Sequence, residues 1–514
     1  MALAPVFEAA KRFTNFHKSY AVPTRGIWEV HLADLEGDNR TSIADLAETT
    51  RQLQGLIAAA RKPVPPVPLR AVGSRWSLST APATRGWAIE TNRLIGRRKI
   101  AADELQGGPG AAGPDDGLYL FQCGNTVADV NRILESPAQG RALFTSGAAN
   151  GQTIAGATAC GTHGSALDHG ALHDHVVAIH LVPTAGKHVW IERKSRPVMK
   201  REWVAALGAE LKRDDDDLFN AAVVSFGSFG LIQAVVIETV PRYLLETRPG
   251  TARLDEALWK VIGGLDFSAH PFFAGRGRPY FFQAVINPSN DEVLLSANYR
   301  KDCPADFQPR YGLTQKDHAL GPGFDSLSLV GAILDRFNKL IPAFGKAAAA
   351  QLFDMTVQTG TPGMIYGYKA PQLHVASGSV AVALADARPA LEALIALYRE
   401  IGPIPVVLGC RYVRKSPALL AFNRFDIGLM VSIDGVDSAL SRRFFAAAAD
   451  RLEEKGIAYT QHWGKVNGYT PGRVKAAYGG NLDKWLAARR RVLPTAADRA
   501  LFDNDYIVER GLGG

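Results

Sequence analysis

Cysteine is scarce in this chain: four residues, at 123, 160, 303 and 410, occur among 514. Thiols so few and so scattered form neither a disulfide framework nor a metal-ligand pattern, and reduced thiols in a cytoplasm are the expectation. Long uncharged apolar runs are also missing. None reaches the ~20 residues a membrane helix needs. The opening Met-Ala-Leu-Ala-Pro-Val-Phe-Glu has no charged stretch ahead of an apolar core, so neither export nor membrane insertion is expected. Nor does one sign of charge dominate. The 58 basic and 50 acidic residues leave +8 spread thinly, which argues against a nucleic-acid partner and allows steering of a small anionic ligand. The densest basic run, Arg489-Arg490-Arg491, follows Trp485-Leu486-Ala487-Ala488 and is expected on the solvated face of a helix. A hydrophobic share of 47% with 21% charged residues is that of a folded soluble protein. The length requires two or more domains of about 100–250 residues.

Glycine is what the chain has in abundance, and it is concentrated. Ser146 to Ser165 reads Ser-Gly-Ala-Ala-Asn-Gly-Gln-Thr-Ile-Ala-Gly-Ala-Thr-Ala-Cys-Gly-Thr-His-Gly-Ser, with five glycines, three threonines and five alanines in twenty residues. Glycine lets backbone approach a ligand closely, and loop N–H groups beside hydroxyls suit phosphate oxygens. Gly156, Gly161 and Gly164 alternate with the hydroxyls of Thr153, Thr158, Thr162 and Ser165. Tight turns alone would need no such hydroxyls, so a large ligand against this backbone is the stronger reading.

The surrounding pattern places that stretch. Ser42-Ile-Ala-Asp45 forms a capping box, and Leu46, Leu53 and Ile57 then recur at helical spacing up to the Pro63–Pro68 breaker. Leu69-Arg-Ala-Val72 is an apolar strand opening onto the loop Gly73-Ser-Arg-Trp-Ser77. Residues 117–122 read as a strand, and Thr126-Val-Ala-Asp129 as a second capping box before a helix carrying Val130, Ile133 and Leu134. Residues 176–183 and 188–192 read as a hairpin, making the sheet mixed. The acidic run Asp214–Asp217 is expected to be a solvated turn or helix start. Phe226-Gly-Ser-Phe-Gly-Leu-Ile232 then sets Gly230 ahead of an apolar strand that includes Ile232, a third place where backbone passes something closely. From about residue 246 the texture changes to amphipathic helices at 388–400 and 438–455 with strands between them, a second α+β unit.

Three motifs, Arg70–Ser77, Gln152–Gly164 and Phe226–Ile232, joined by His462-Trp-Gly-Lys465, resemble those of the vanillyl-alcohol-oxidase-type FAD flavoproteins. Within that group the chain looks most like the sugar-lactone and alditol oxidase branch. The resemblance implies an α+β architecture: a two-subdomain FAD-binding domain of the PCMH type over 1–245, a cap domain over 246–455 facing the substrate, and a segment over 456–514 returning to the flavin. It implies that FAD is held by Val72, Gly73, Ser74, Arg75, Trp76 and Ser77; by Thr153, Ile154, Gly156, Ala157, Thr158, Cys160, Gly161, Thr162, His163, Gly164 and Ser165; and by Gly230 and Ile232. Many relatives attach the flavin through a histidine in the first loop, where this chain has Trp76. Cys160 stands where relatives have small or hydroxyl residues, and noncovalent FAD is the expectation. The Glu-x-Arg of alditol-oxidase-like relatives reads Gly409-Cys-Arg411 here, which keeps the arginine and loses the carboxylate.

The chemistry implied is oxidation of a CH–OH group by hydride transfer to flavin N5, on a small alcohol, polyol or lactone, with oxygen or another acceptor reoxidising the flavin. Lys465 and Arg411 are the candidates to stabilise negative charge on flavin or alkoxide, and His462 the candidate to accept the hydroxyl proton, against a structural role beside Trp463. His169, His173 and His175 invite a metal, but packing near the cofactor is the preferred reading and no metal is expected. An NADPH-linked flavin reductase of the cell-wall-precursor type and a nonenzymatic flavin-binding protein are the alternatives.

Overall fold

The computed structural model describes residues 4–31, 41–147, 149–311, 356–366 and 375–514. Its first sheet has four strands, with Gly26–His31, Trp87–Arg93 and Leu69–Val72 in parallel pairing. The second has six. Val176–Val182 pairs antiparallel with both Val189–Glu192 and Leu231–Ile237, so the hairpin and the mixed character expected from the sequence are present. The capping boxes also form. Asp45 N–H donates to Ser42 Oγ at 3.1 Å and starts the Ile43–Arg61 helix, and Asp129 N–H donates to Thr126 Oγ1 at 3.1 Å ahead of Val127–Leu134. Both helices turn their apolar positions into one core.

The third sheet has eight strands, and its middle runs Phe281–Ile286, Val406–Arg414, Ile427–Val436, Val375–Ala383, Tyr459–Gln461, all antiparallel. Side chains alternate across it. Phe282, Ala284, Leu408, Cys410, Tyr412, Val431, Ile433, Val380 and Val382 point to one face, where the Ala387–Ile401 and Ala439–Glu454 helices cover them. The opposite face carries Gln283, Arg411, Ser432, Asp434, Ser377 and Ser379. An apolar face on one side and a polar, partly open one on the other is what positions the site.

The chain after Gln461 packs into the core of the first half. Trp463, Tyr478, Trp485, Phe502 and Ile507 share one cluster with Phe121, Phe219 and Phe229. Here one expectation fails. Arg490 and Arg491 are exposed, but Arg489 is 1% exposed and binds the carbonyls of Ser228, Leu512 and Arg499 and the Asp503 carboxylate at 2.6 Å. The run was read as one face, but a helix turns 100° per residue and points three consecutive side chains in different directions. The acidic run starts the Asp217–Ala222 helix, as expected, and Asp215 and Asp217 pair with Arg491 and Lys484 of the Gly480–Val492 helix. Among the described residues no helix is long and apolar enough to cross a membrane.

Candidate active site

The two glycine loops interlock. A Cβ on Gly73 would lie 2.1 Å from Thr153 Oγ1, and one on Gly151 would lie 2.1 Å from Trp76 Cζ2. Trp76 stacks on Phe16 at 4.8 Å and meets His17 edge-on, so the indole wedges the loops together from the N-terminal hairpin side. Val72 is buried at the strand end, and Ser74, Arg75 and Ser77 are half-buried. Arg75, at φ +58°, pairs with Glu90. Gly151→Ala is expected to weaken FAD binding about 10-fold or more, because the rigid indole must move. Titration of apoprotein by flavin fluorescence measures this, and the double variant Gly151→Ala/Trp76→Ala should recover affinity. Unrecovered affinity would rule out this wedge.

His462–Lys465 threads between these loops. Leu78 N–H donates to the Gly464 carbonyl at 2.9 Å, and Ser79 Oγ donates to the Trp463 carbonyl at 2.7 Å. On the other side, a Cβ at Gly464 would sit 3.4 Å from Cys160 Cβ. Backbone torsion at Gly161 (φ +79°) makes the return from the Ile154–Ala159 helix possible. Thr153, Ile154, Ala157 and Gly164 are buried, Thr162 is half-buried and Gly156 is exposed along that turn.

Several residues assigned to the cofactor also make contacts within the protein. Thr158 Oγ1 donates to the Ile154 carbonyl at 2.9 Å. Ser165 Oγ donates to the Phe282 carbonyl and accepts from Tyr412 N–H at 2.8 Å, joining the loop to the large sheet. Both hydroxyls thus spend their protons on backbone carbonyls of the protein. Gly230, at φ +132°, makes its close approach to Pro183, 2.7 Å from its Cβ position, just beyond the Val182–Leu231 pair where the two antiparallel strands meet. Ile232 lies buried in the following strand.

FAD is a large polar ligand, and the chain has unmatched polar atoms for it. Among the described residues Ser146 Oγ, Asn150 Oδ1 and Nδ2, and Gln152 Oε1 are buried without a hydrogen-bond partner. Buried polar atoms left unpaired cost free energy that a bound ligand relieves. All belong to the first half of the glycine-rich stretch, where hydroxyl and amide groups suit phosphate and ring-edge atoms.

The charged groups converge on the polar sheet face. Lys465 Nζ donates to Ser432 Oγ at 3.0 Å and to Asp434 Oδ1 at 3.4 Å. Arg411 Nε donates to Gln283 Oε1 at 3.2 Å from the paired strand. Burial lowers the Lys465 pKa, Asp434 opposes that, and Arg411 adds to it. Burial would raise the Asp434 carboxyl, but Lys465 and Arg411 outweigh it and hold its pKa low. The ionised Asp434 carboxylate thus faces the side chains of Lys465 and Arg411. Asp434, Ser432 and Ser377 went unnoticed in the sequence. Their only signal was polar residues at every second position of strands otherwise rich in Val, Leu and Ile.

The candidate histidines are all engaged by neighbouring groups. Burial, with His163, Lys465 and His173 nearby, holds the His462 pKa well below 6.5. Its Nδ1 accepts from Gly464 N–H at 3.0 Å, and its ring bonds the Gly161 backbone. His163 bonds the Gly164 carbonyl at 2.9 Å, and burial followed by Arg411 pushes its pKa down to about 3. Burial raises the Cys160 thiol to about 11, only partly offset by Arg70, so no thiolate forms near pH 7. His173 pairs with Ser416, His175 with Glu238, and His169 packs on Phe144. Among the described residues no three His, Cys, Asp or Glu side chains are grouped to hold a metal.

Comparison with known proteins agrees with this geometry. Residues 42–192 match the FAD binding domain family. The chain is 25% identical over 443 residues to an L-gulono-1,4-lactone dehydrogenase of Mycobacterium tuberculosis, covering 85% of this chain and 89% of that one. It is 25% identical over 197 residues to a D-arabinono-1,4-lactone oxidase of Debaryomyces hansenii, 37% of this chain and 31% of that one. The fold is that of a cholesterol oxidase from B. sterolicum, with a TM-score of 0.67, 14% identity, and 97% and 96% of the two chains covered.

Proposed function

We propose that this chain, an FAD-dependent oxidoreductase whose residues 42–192 match the FAD binding domain family, oxidises a CH–OH group of a small alcohol, polyol or sugar lactone. Oxygen or another acceptor completes the cycle. Bound FAD supplies the two-electron acceptor. The observation that carries the reading is the polar sheet face bearing Arg411, Lys465 and Asp434, tied to both glycine loops through Gly464. Cations there lower the cost of negative charge developing on the substrate oxygen as its proton leaves. With seryl hydroxyls and Gln283 beside them, they also suit a substrate rich in hydroxyls. Since His462 Nδ1 accepts from Gly464 N–H and the ring also bonds the Gly161 backbone, we assign it to holding Gly161 against Gly464 rather than to proton transfer. The boundaries near 245 and 455 and the roles of the individual cofactor contacts belong to the same proposal.

Purified protein should be yellow and should bleach under anaerobic conditions when mixed with L-gulono-1,4-lactone, D-arabinono-1,4-lactone or a polyol, and not when mixed with NADPH. A colourless protein that takes up no FAD, or bleaching by NADPH alone, overturns the proposal. We also hold the flavin to be noncovalent. Acid precipitation is then expected to release FAD to the supernatant, and flavin fluorescence retained in the washed pellet would show a covalent link.

A further inference from the structure

Position 409 leaves a gap in the polar face. Gly409 pairs with Ser432 in the register of the Val406–Arg414 and Ile427–Val436 strands, and Val407 pairs with Asp434, so Gly409, Arg411, Ser432 and Asp434 share one side of the sheet. A Cβ built on Gly409 meets only ordinary contacts, 3.6 Å to Ser432 Cβ and 3.7 Å to Asp434 Oδ2. Sterics therefore do not require glycine here, and the space above it is bordered by a carboxylate oxygen. The Asp434 side chain is anchored through its other oxygen. Oδ1 accepts from Ser377 Oγ and from Lys465 Nζ, while Oδ2 accepts no hydrogen bond among the described residues, and the side chain is 38% exposed. A carboxylate serving only to neutralise Lys465 would not need one oxygen held fast and the other turned to the open side.

We propose that Asp434 is the substrate-binding carboxylate of this site, reaching over Gly409 from the neighbouring strand to accept a hydrogen bond from the hydroxyl next to the carbon being oxidised. It thereby supplies, from a different strand, the negative charge that Glu-x-Arg relatives carry at the position of Gly409. The assignment rests on the alcohol-oxidising reading above. Two lone-pair sites on Oδ2 suit a substrate hydroxyl, and Arg411 beside them suits its neighbouring oxygen.

The experiment takes as probe whichever of L-gulono-1,4-lactone, D-arabinono-1,4-lactone and xylitol best reduces the wild-type flavin, together with its counterparts lacking one hydroxyl. The deoxy probe is the counterpart lacking the hydroxyl next to the carbon oxidised, a carbon identified from the product of the wild-type reaction. Asp434→Asn is expected to lower kcat/KM for the full probe about 10- to 100-fold, the range of a hydrogen bond to a charged group. For the deoxy probe, which loses only the support Asp434 gives Lys465, the loss should be about 10-fold smaller than for the full probe. FAD content, read from the visible spectrum, should not change. Asp434→Ser/Gly409→Glu, which moves the carboxylate to the vacant position, should regain part of the loss for the full probe only. Equal losses on both probes would make Asp434 a partner of Lys465 alone and overturn the assignment, as would no loss on either. A wild-type flavin that none of the probes reduces would instead overturn the reading of the reaction, and this assignment with it.

Discussion

Lys465→Met lowers the rate of flavin reduction by substrate about 100- to 1,000-fold while FAD stays bound, the scale set by removing one preorganised charge from an oxyanion site. Lys465 is placed for that role by the glycine loops and by one strand of the large sheet. Its backbone follows Gly464, which both glycine loops touch, and its Nζ is held at 3.0 Å by Ser432 and at 3.4 Å by Asp434. The ammonium is thus oriented before any substrate arrives, and water need not reorganise when charge develops. Methionine keeps most of the stem volume and none of the charge, so packing around Trp463 is retained. Anaerobic stopped-flow at 450 nm measures the reduction rate, with the visible spectrum reporting FAD content. Lys465→Arg should retain more activity than Met because the charge survives. Reduction at the wild-type rate in Lys465→Met would remove this residue from the chemistry.

Arg489→Ala is expected to destabilise the protein by about 3–5 kcal/mol, the cost of breaking a buried ion pair from one side. The guanidinium bonds the Ser228 carbonyl, ahead of the Leu231–Ile237 strand, to the carbonyls of Arg499 and Leu512 and to the Asp503 carboxylate. Burial lowers its pKa, with Asp503 opposing the shift, but an arginine keeps its charge near neutral pH. Alanine would leave three carbonyls and one carboxylate without their donor in an apolar cluster. Arg70 forms a second such clamp, donating to the Phe502, Ala81 and Phe226 carbonyls. Thermal unfolding with flavin fluorescence as probe should show early FAD release in Arg489→Ala. Arg490→Ala, at an exposed position, should melt with the wild type, and Arg491→Ala, which loses a surface pair with Asp215, should fall by ~1 kcal/mol or less. Arg489→Ala melting with the wild type would show that the C-terminal segment docks without the clamp.

Much of the local structure was legible because it depends on near neighbours. Ser42 and Asp45, or Thr126 and Asp129, satisfy helix N–H groups three residues away, so a four-residue pattern contains the whole interaction. The hairpin at 176–192 follows from two apolar runs and the short turn between them. The FAD loops were legible for a related reason: dense glycine and hydroxyl residues betray a backbone approached closely. What approaches it was less legible. Gly73, Gly151 and Gly230 are approached by Thr153, Trp76 and Pro183 of the chain itself, and a glycine looks the same in sequence whichever partner it admits.

The sequence by itself, through its resemblance to known FAD flavoproteins, determined an FAD-binding oxidoreductase, and it pointed to Gly73–Ser77, Thr153–Ser165 and His462–Lys465 as the segments around the cofactor. Only the tertiary structure decided which polar groups meet. Asp434, Ser377 and Lys465 come from three segments, and antiparallel register alone brings Asp434 beside Gly409 and Ser377. Arg489 became a buried clamp for the same reason. Whether a charge lies in water or against another charge depends on which distant strand or helix packs over it, and that partner is absent from any short stretch of sequence.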